Sequence, residues 1–297
     1  MSSLLPAPTR WVGTAHANRA WLIALAGFAA MYLPVYWWAA NGIWQSDEQA
    51  HGAIVFVVSL WLFWSVRGAI AAAATRPTAW GWPIFVLGLL VYVAGRAFNI
   101  SIFEMGSQIL VIAGALLLMK GWAALRVAWF PVFYLVFMIP LPGIFVDAVT
   151  GPLKQFISDI VVSALYSLGY PIARSGVIIS IGQYQLLVAD ACSGLHSMFS
   201  LSALGTLFMY IMGRKSLLHN AIMLASILPI AFLANIVRVI ILVLVTYYLG
   251  DEAGQGFLHG TAGMVLMMVA LLTFFLLDAV LVAVLRFPRR KQPSAPG

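Results

Sequence analysis

A chain of 297 residues carries one cysteine, Cys192, within the stretch VADACSGLHSMFSL. An apolar run begins directly after it, so the thiol sits at a helix N-terminus, where partial positive charge and free N–H groups favour thiolate over thiol. A thiolate is a nucleophile; the other role open to Cys192 is a buried, inert thiol. A second signal is Arg238 in LPIAFLANIVRVIILVLVTYY, with Asn235 one turn before it. Even mild insertion scales put an arginine near the centre of an apolar helix at a cost of about 2.5 to 3.5 kcal/mol, so such a residue faces protein or water. It either holds an anion or neutralises a buried carboxylate. The third signal is His259 in GQGFLHGTAGM, just after Asp251 and Glu252 and at the opening of the last apolar run. A histidine near neutrality accepts or returns a proton for a thiol; its alternative is a solvated loop side chain. Together the three supply a nucleophile, an anion stabiliser and a proton carrier.

Other polar residues surround this set. His196 lies four residues after Cys192, on the same helix face and one turn deeper, and competes for the histidine role. His51, in DEQAHGAIVF, opens the second apolar run as a site-lining residue or a solvated loop group. Asp190 is a helix cap or a site-lining carboxylate, and Ser193 and Asn235 complete the candidate lining. One cysteine excludes an intramolecular disulfide and any multi-cysteine metal site, and no metal or organic cofactor is expected.

The elements that must position these residues follow from composition. The chain is 63% hydrophobic and 8% charged, against about half and about a quarter in soluble domains, so the bilayer is the solvent. Spans in lipid are helices or closed barrels, and the apolar runs lack the dyad alternation of barrel strands. The fold class expected is therefore an all-α polytopic membrane protein, one embedded domain over 1–297, with a cytoplasmic segment at 1–19 and a tail at 286–297. Eight runs are expected to span: Ala20 to Ala40, Gly52 to Ala74, Trp80 to Gly95, Ile102 to Met119, Ala123 to Ile139, Ser193 to Met212, Leu217 to Leu249 and Gly260 to Leu285. Each is near or above the length that crosses about 30 Å of hydrocarbon. Placing the loops alternately puts 12 of the 16 basic residues on one face, which the positive-inside rule makes cytoplasmic. Eight of the nine acids fall on the other face and only Asp278 does not. Both ends are then inside, and Cys192, Arg238 and His259 all map to the outer side. The net charge of +7 is scattered over loops and forms no basic patch beside aromatics, which argues against nucleic acid as a partner.

Between Pro140 and Ala191 the chain is expected to stay outside. Val146 to Leu168 has Phe156, Ile160, Ala164 and Ser167 at helical spacing, as an interfacial amphipathic helix would. Val177 to Val188, with Gly182 at its middle, has the β-branched composition of a short hairpin leading up to Asp190 and Cys192. Trp37, Trp38, Trp44, Trp80 and Trp82 lie near span ends as interfacial anchors.

Three motifs in this order, ACSG at Ala191 to Gly194, NIVR at Asn235 to Arg238 and HG at His259 and Gly260, resemble those of the exosortase/archaeosortase family. The likeness extends through HG at His51 and Gly52, FMIPLPG at Phe137 to Gly143 and GYPIARSGVII before the cysteine; in length the chain looks most like exosortase B. The resemblance implies a cysteine protease or transpeptidase of the bacterial inner membrane with its site facing the periplasm. It implies Cys192 as nucleophile, Arg238 as transition-state stabiliser and His259 as acid/base. The implied partners are exported proteins bearing a C-terminal Pro-Glu-Pro type sorting signal, a transmembrane tail and a basic cluster. The rival reading is a transporter or channel in which Arg238 binds an anionic substrate, though such proteins often show internal repeats and none is visible here.

Overall fold

The computed structural model describes residues 11–46, 49–140, 143–187, 194–214, 216–260 and 262–285. The chain folds as two compact units, Met1–Pro140 and Leu141–Gly297. The first contains α1 (Trp11–Asn41), α2 (His51–Ala72), α3 (Gly81–Phe98), α4 (Ser101–Met119), α5 (Trp122–Val127) and α6 (Trp129–Tyr134). The second contains α7 (Gly143–Ser167), strands β1 (Ile172–Ser175), β2 (Ile178–Ile181) and β3 (Tyr184–Leu187), then α8 (Gly194–Met212), α9 (Leu217–Leu249), α10 (Asp251–Gly260) and α11 (Ala262–Val284). Among the described residues six helical stretches are long and apolar enough to cross a membrane. They lie on α1, α2, α3, α4, α9 and α11, and the protein is a multi-pass, predominantly helical membrane protein.

One expected span differs from the simple reading. The fifth, Ala123 to Ile139, is not one helix: α5 stops at Val127, α6 starts at Trp129, and a 3₁₀ turn follows over Leu135–Met138. Pro131 is the physical reason, because it has no N–H to give the carbonyl of Val127 and its ring clashes with that carbonyl. The sixth is helical as expected, α8 covering Gly194–Met212 in 19 residues.

In the first unit α3 and α4 pack antiparallel with backbones nearly touching. A Cβ added at Gly81, Gly88 or Gly95 would lie 2.8, 2.9 and 2.6 Å from the backbone nitrogens of Leu118, Val111 and Glu104. The heptad spacing of these glycines keeps them on one face of α3, and small residues at such seams are how membrane helices gain dispersion contact without a hydrophobic driving force. Arg96 meets the buried Glu104 at 3.3 Å at one end of this seam.

In the second unit β1, β2 and β3 form an antiparallel sheet in sequence order, with Ile172 opposite Ile181 and Ile181 opposite Tyr184. The hairpin expected around Gly182 is present, and β1, which carries IARS, was not anticipated. The helix expected over Val146 to Leu168 is present as α7. Its buried apolar residues are Ile157, Val161 and Leu165, which join Ile172, Ile179 and Ile181 of the sheet and Ile236, Val239 and Val243 of α9 in one core. Phe156, by contrast, is exposed and stacks on Phe232. A second core joins Leu201 and Phe208 of α8, Met223, Ile227, Ile230, Ala231 and Ala234 of α9, and Ala270, Phe274 and Leu281 of α11. Helix α9 belongs to both.

The α3–α4 seam gives a direct test. Gly88→Leu forces a side chain into backbone atoms of Val111 and is expected to lower the thermal midpoint of the detergent-purified protein by about 5 °C or more. Gly68→Leu, at a position with open space around it, is expected to leave the midpoint within about 1 °C.

Candidate functional site

Helix α9 starts where the Ser216 side chain accepts from the backbone N–H of His219 and ends at Gly250, whose φ of 91° is a left-handed turn. Its 33 residues reach roughly 50 Å, well beyond the hydrocarbon thickness. Arg238 lies on it, 7% exposed, with Asn235 buried one turn earlier. Arg238 sits where the two cores of the second unit meet, between Ala234 of one and Val239 of the other. An arginine in this segment therefore faces protein, as the cost of placing it in lipid requires.

Two contacts fix what lies opposite Arg238 on the following helices. His219 Nε2 donates to Asp278 Oδ1 at 2.9 Å, which pairs the start of α9 with the end of α11. At the other end, a Cβ at Gly254 would overlap Thr246 Oγ1, so the absent side chain lets α10 close onto α9. Between these points α10 and α11 run antiparallel to α9. Moving from Thr246 back to Arg238 corresponds to moving from Gly254 past His259 to the α10–α11 junction, so the backbone of His259 is within roughly 5 Å of the level of Arg238.

A similar register brings in α8. Gly205 packs against Ile227, and α8 ends at Met212 while α9 starts at Leu217. Eleven residues before Gly205 is Gly194, the first residue of α8, and eleven after Ile227 is Arg238. The start of α8 and the end of α10 thus converge on the level of Arg238 along α9. Cys192, Asp190 and Ser193 lie outside the described residues, Cys192 being two residues before Gly194 in sequence. His196 is in the first turn of α8. His51 opens α2 in the first unit, half-buried.

The sequence reading missed one polar cluster. The Nη2 and Nε of Arg214, at the turn between α8 and α9, donate to Asp278 Oδ2 and Oδ1 at 2.6 and 3.3 Å. Asp278 thus receives both Arg214 and the buried His219, and Asn220 ties the turn down by donating to the Arg214 carbonyl at 2.8 Å. The available signal was an acid inside an apolar run, which is by default a functional or structural polar site. This cluster decides one open question. Asp278 is about 28 Å along α9 from Arg238 and already engaged, so it is not the carboxylate that Arg238 neutralises.

Asp278→Asn leaves His219 with a weaker partner in a site closed to water, whereas Arg214 can turn outward. The expected loss is about 1–3 kcal/mol, read as faster thermal inactivation of the purified protein. His219→Leu combined with Asp278→Leu, which removes both buried polar groups, is expected to recover part of it.

The comparisons with known proteins bear on the whole chain. No curated protein and no solved structure matches it. A family model described as transmembrane exosortase matches residues 37–276, a stretch that contains the end of α1, all of α2 to α10, most of α11 and all three sequence motifs. The chain belongs to the transmembrane exosortase family.

Proposed function

We propose that this exosortase is a cysteine protease or transpeptidase that cleaves exported proteins carrying a C-terminal Pro-Glu-Pro type sorting signal, at the outer face of the bacterial inner membrane. The observation that carries the reading is that the helix start following Cys192 and the end of the helix bearing His259 both fall at the level of the buried Arg238 along α9. The charge segregation of the loops supports a site on the periplasmic side.

In this reading the Cys192 thiolate attacks the carbonyl carbon of the scissile peptide, and the carbonyl π electrons move onto oxygen. Arg238 holds the oxyanion, a role worth several kcal/mol in a dry, preorganised site. Collapse of the tetrahedral intermediate breaks the C–N bond while His259 gives the leaving amine its proton. A thioester remains on Cys192. An amine acceptor or water then attacks the thioester, His259 takes the proton from the attacker, and Cys192 leaves as thiolate. The reaction balances without a cofactor. The substrate's transmembrane tail holds its signal beside the outer leaflet, turning a bimolecular encounter into a local one. His196, His51, Asp190, Ser193 and Asn235 are proposed as lining residues, and exosortase B as the subtype.

The test is co-expression with a tagged signal-bearing substrate, reading its conversion on a gel against the amount of membrane-inserted enzyme. Cys192→Ala is expected to abolish conversion at unchanged abundance, and Cys192→Ser to be nearly as inactive because an alkoxide forms far less readily than a thiolate. Arg238→Lys replaces a rigid fork of donors by a point charge and is expected to cost roughly 10² or more in turnover. Normal conversion by Cys192→Ala would end the enzyme reading, and near-normal conversion by Arg238→Lys would make Arg238 a structural charge.

A further inference from the structure

In the first unit a crevice of about 210 Å³ lies between α1 and α2, floored by Gln108 of α4 and Leu135. Its walls are aromatic, with Phe28, Tyr32 and Tyr36 on one side and Phe56 and Phe63 on the other. Leu33 and Leu60, 62% and 55% exposed, stand at its mouth. Both belong to candidate spans, so the crevice opens sideways toward lipid.

Two polar groups in this crevice are unsatisfied. Ser59 and Gln108 are 2% and 0% exposed, and among the described residues neither Ser59 Oγ nor Gln108 Nε2 has a hydrogen-bond partner. The Gln108 carbonyl is occupied, accepting from the Tyr36 hydroxyl. A buried polar group left unmet carries its full desolvation cost, so these donors call for an acceptor. A water beside Ser59 and Gln108 would leave the rest of the space, walled by aromatic and aliphatic side chains, empty, because apolar cavities stay dry.

Shape and depth select the occupant. From Phe28 to Tyr36 the crevice runs about 12 Å along α1. A helix 10–12 Å in diameter displaces roughly 950 Å³ or more over that length, far above the crevice volume, whereas a single hydrocarbon chain fits. Gln108 lies one turn, about 6 Å, below Glu104, whose ion pair with the largely exposed Arg96 marks the polar boundary of the bilayer. Lipid ester carbonyls occupy that depth, just below the headgroups.

We propose that the crevice binds one ester-linked phospholipid, with an acyl carbonyl accepting from Gln108 Nε2 and Ser59 Oγ. The chain runs down between α1 and α2 toward Phe28, Phe63 and Leu135. The site is independent of the catalytic reading.

The test uses the full-length protein in vesicles of phosphatidylethanolamine and phosphatidylglycerol containing a trace of diazirine-acyl phosphatidylcholine. Adducts are mapped by mass spectrometry after illumination. Labelling of segments 28–36 and 56–63 is expected to exceed that of the lipid-facing α11 by about tenfold. It is expected to fall at least fivefold in the plugged variant Ser59→Trp, and likewise with an ether-linked probe that lacks the carbonyl. Ala29→Trp plugs the same crevice from α1 and replaces Ser59→Trp if that variant does not insert. Labelling no stronger than on α11, or unchanged in a plugged variant, or equal with the ether probe, would overturn the proposal.

Discussion

A guanidinium in an apolar helix cannot be left facing hydrocarbon, and the second unit is arranged around that constraint. Arg238 lies in α9, a helix of 33 residues with no acid and no other arginine or lysine. Burying it requires protein on several sides of α9 at one level. The upstream half of α9 is covered by α8 and α11 through Phe208, Ala270 and Phe274. The downstream half is covered by α7 and the sheet through Ile157, Val161 and Ile179. Arg238 falls where the two coverings meet, and the ends of α8 and α10 fall there too. A dry, protein-lined setting is what gives a fixed cation its largest effect on developing negative charge.

The level at which those ends meet depends on register, and register is set far from Arg238. Asp278 joins Arg214 and His219 at one end of α9. Near the other end, Gly254 allows α10 to seat against Thr246. Because the helices between these points are rigid rods, a shift of one turn at either point would carry His259 about 5 Å along α9. Polar clamping by Asp278 is specific in a way that apolar packing is not, since ion pairs and hydrogen bonds have one geometry while leucines slide. This explains why a membrane helix retains an acid that the charge distribution of the loops would not require.

Much of this was legible in the sequence, for reasons that differ by element. The apolar runs over α2, α3, α4, α9 and α11 were read because a span is a long, simple signal. Arg238 stood out because its cost in lipid demands explanation. The break between α5 and α6 was written in Pro131 but masked by the hydrophobicity around it. Helix α7 was legible from the helical spacing of Phe156, Ile160 and Ala164, whereas the stripe that packs in the core, Ile157, Val161 and Leu165, finds its partners in the sheet and α9, which spacing alone does not show. Strand β1 carries Arg174 and Ser175 and takes its order from Ile172 pairing with Ile181, a contact local pattern does not encode. The Gly81, Gly88 and Gly95 heptad was visible as spacing, yet its meaning needed the facing backbone of α4.

The central claim is that the cysteine preceding α8 and the histidine ending α10 meet beside Arg238. Since Cys192 is the only cysteine in the chain, a second one introduced by His259→Cys makes the claim directly measurable by thiol cross-linking in native membranes. A short bifunctional methanethiosulfonate, followed by mass spectrometry of the linked peptides, is expected to join positions 192 and 259 within one chain in high yield. Met268→Cys, lying about 13 Å farther along the chain's helical path, is expected to remain unlinked. Absence of the 192–259 link, or equal yield from position 268, would contradict the convergence on which the account rests.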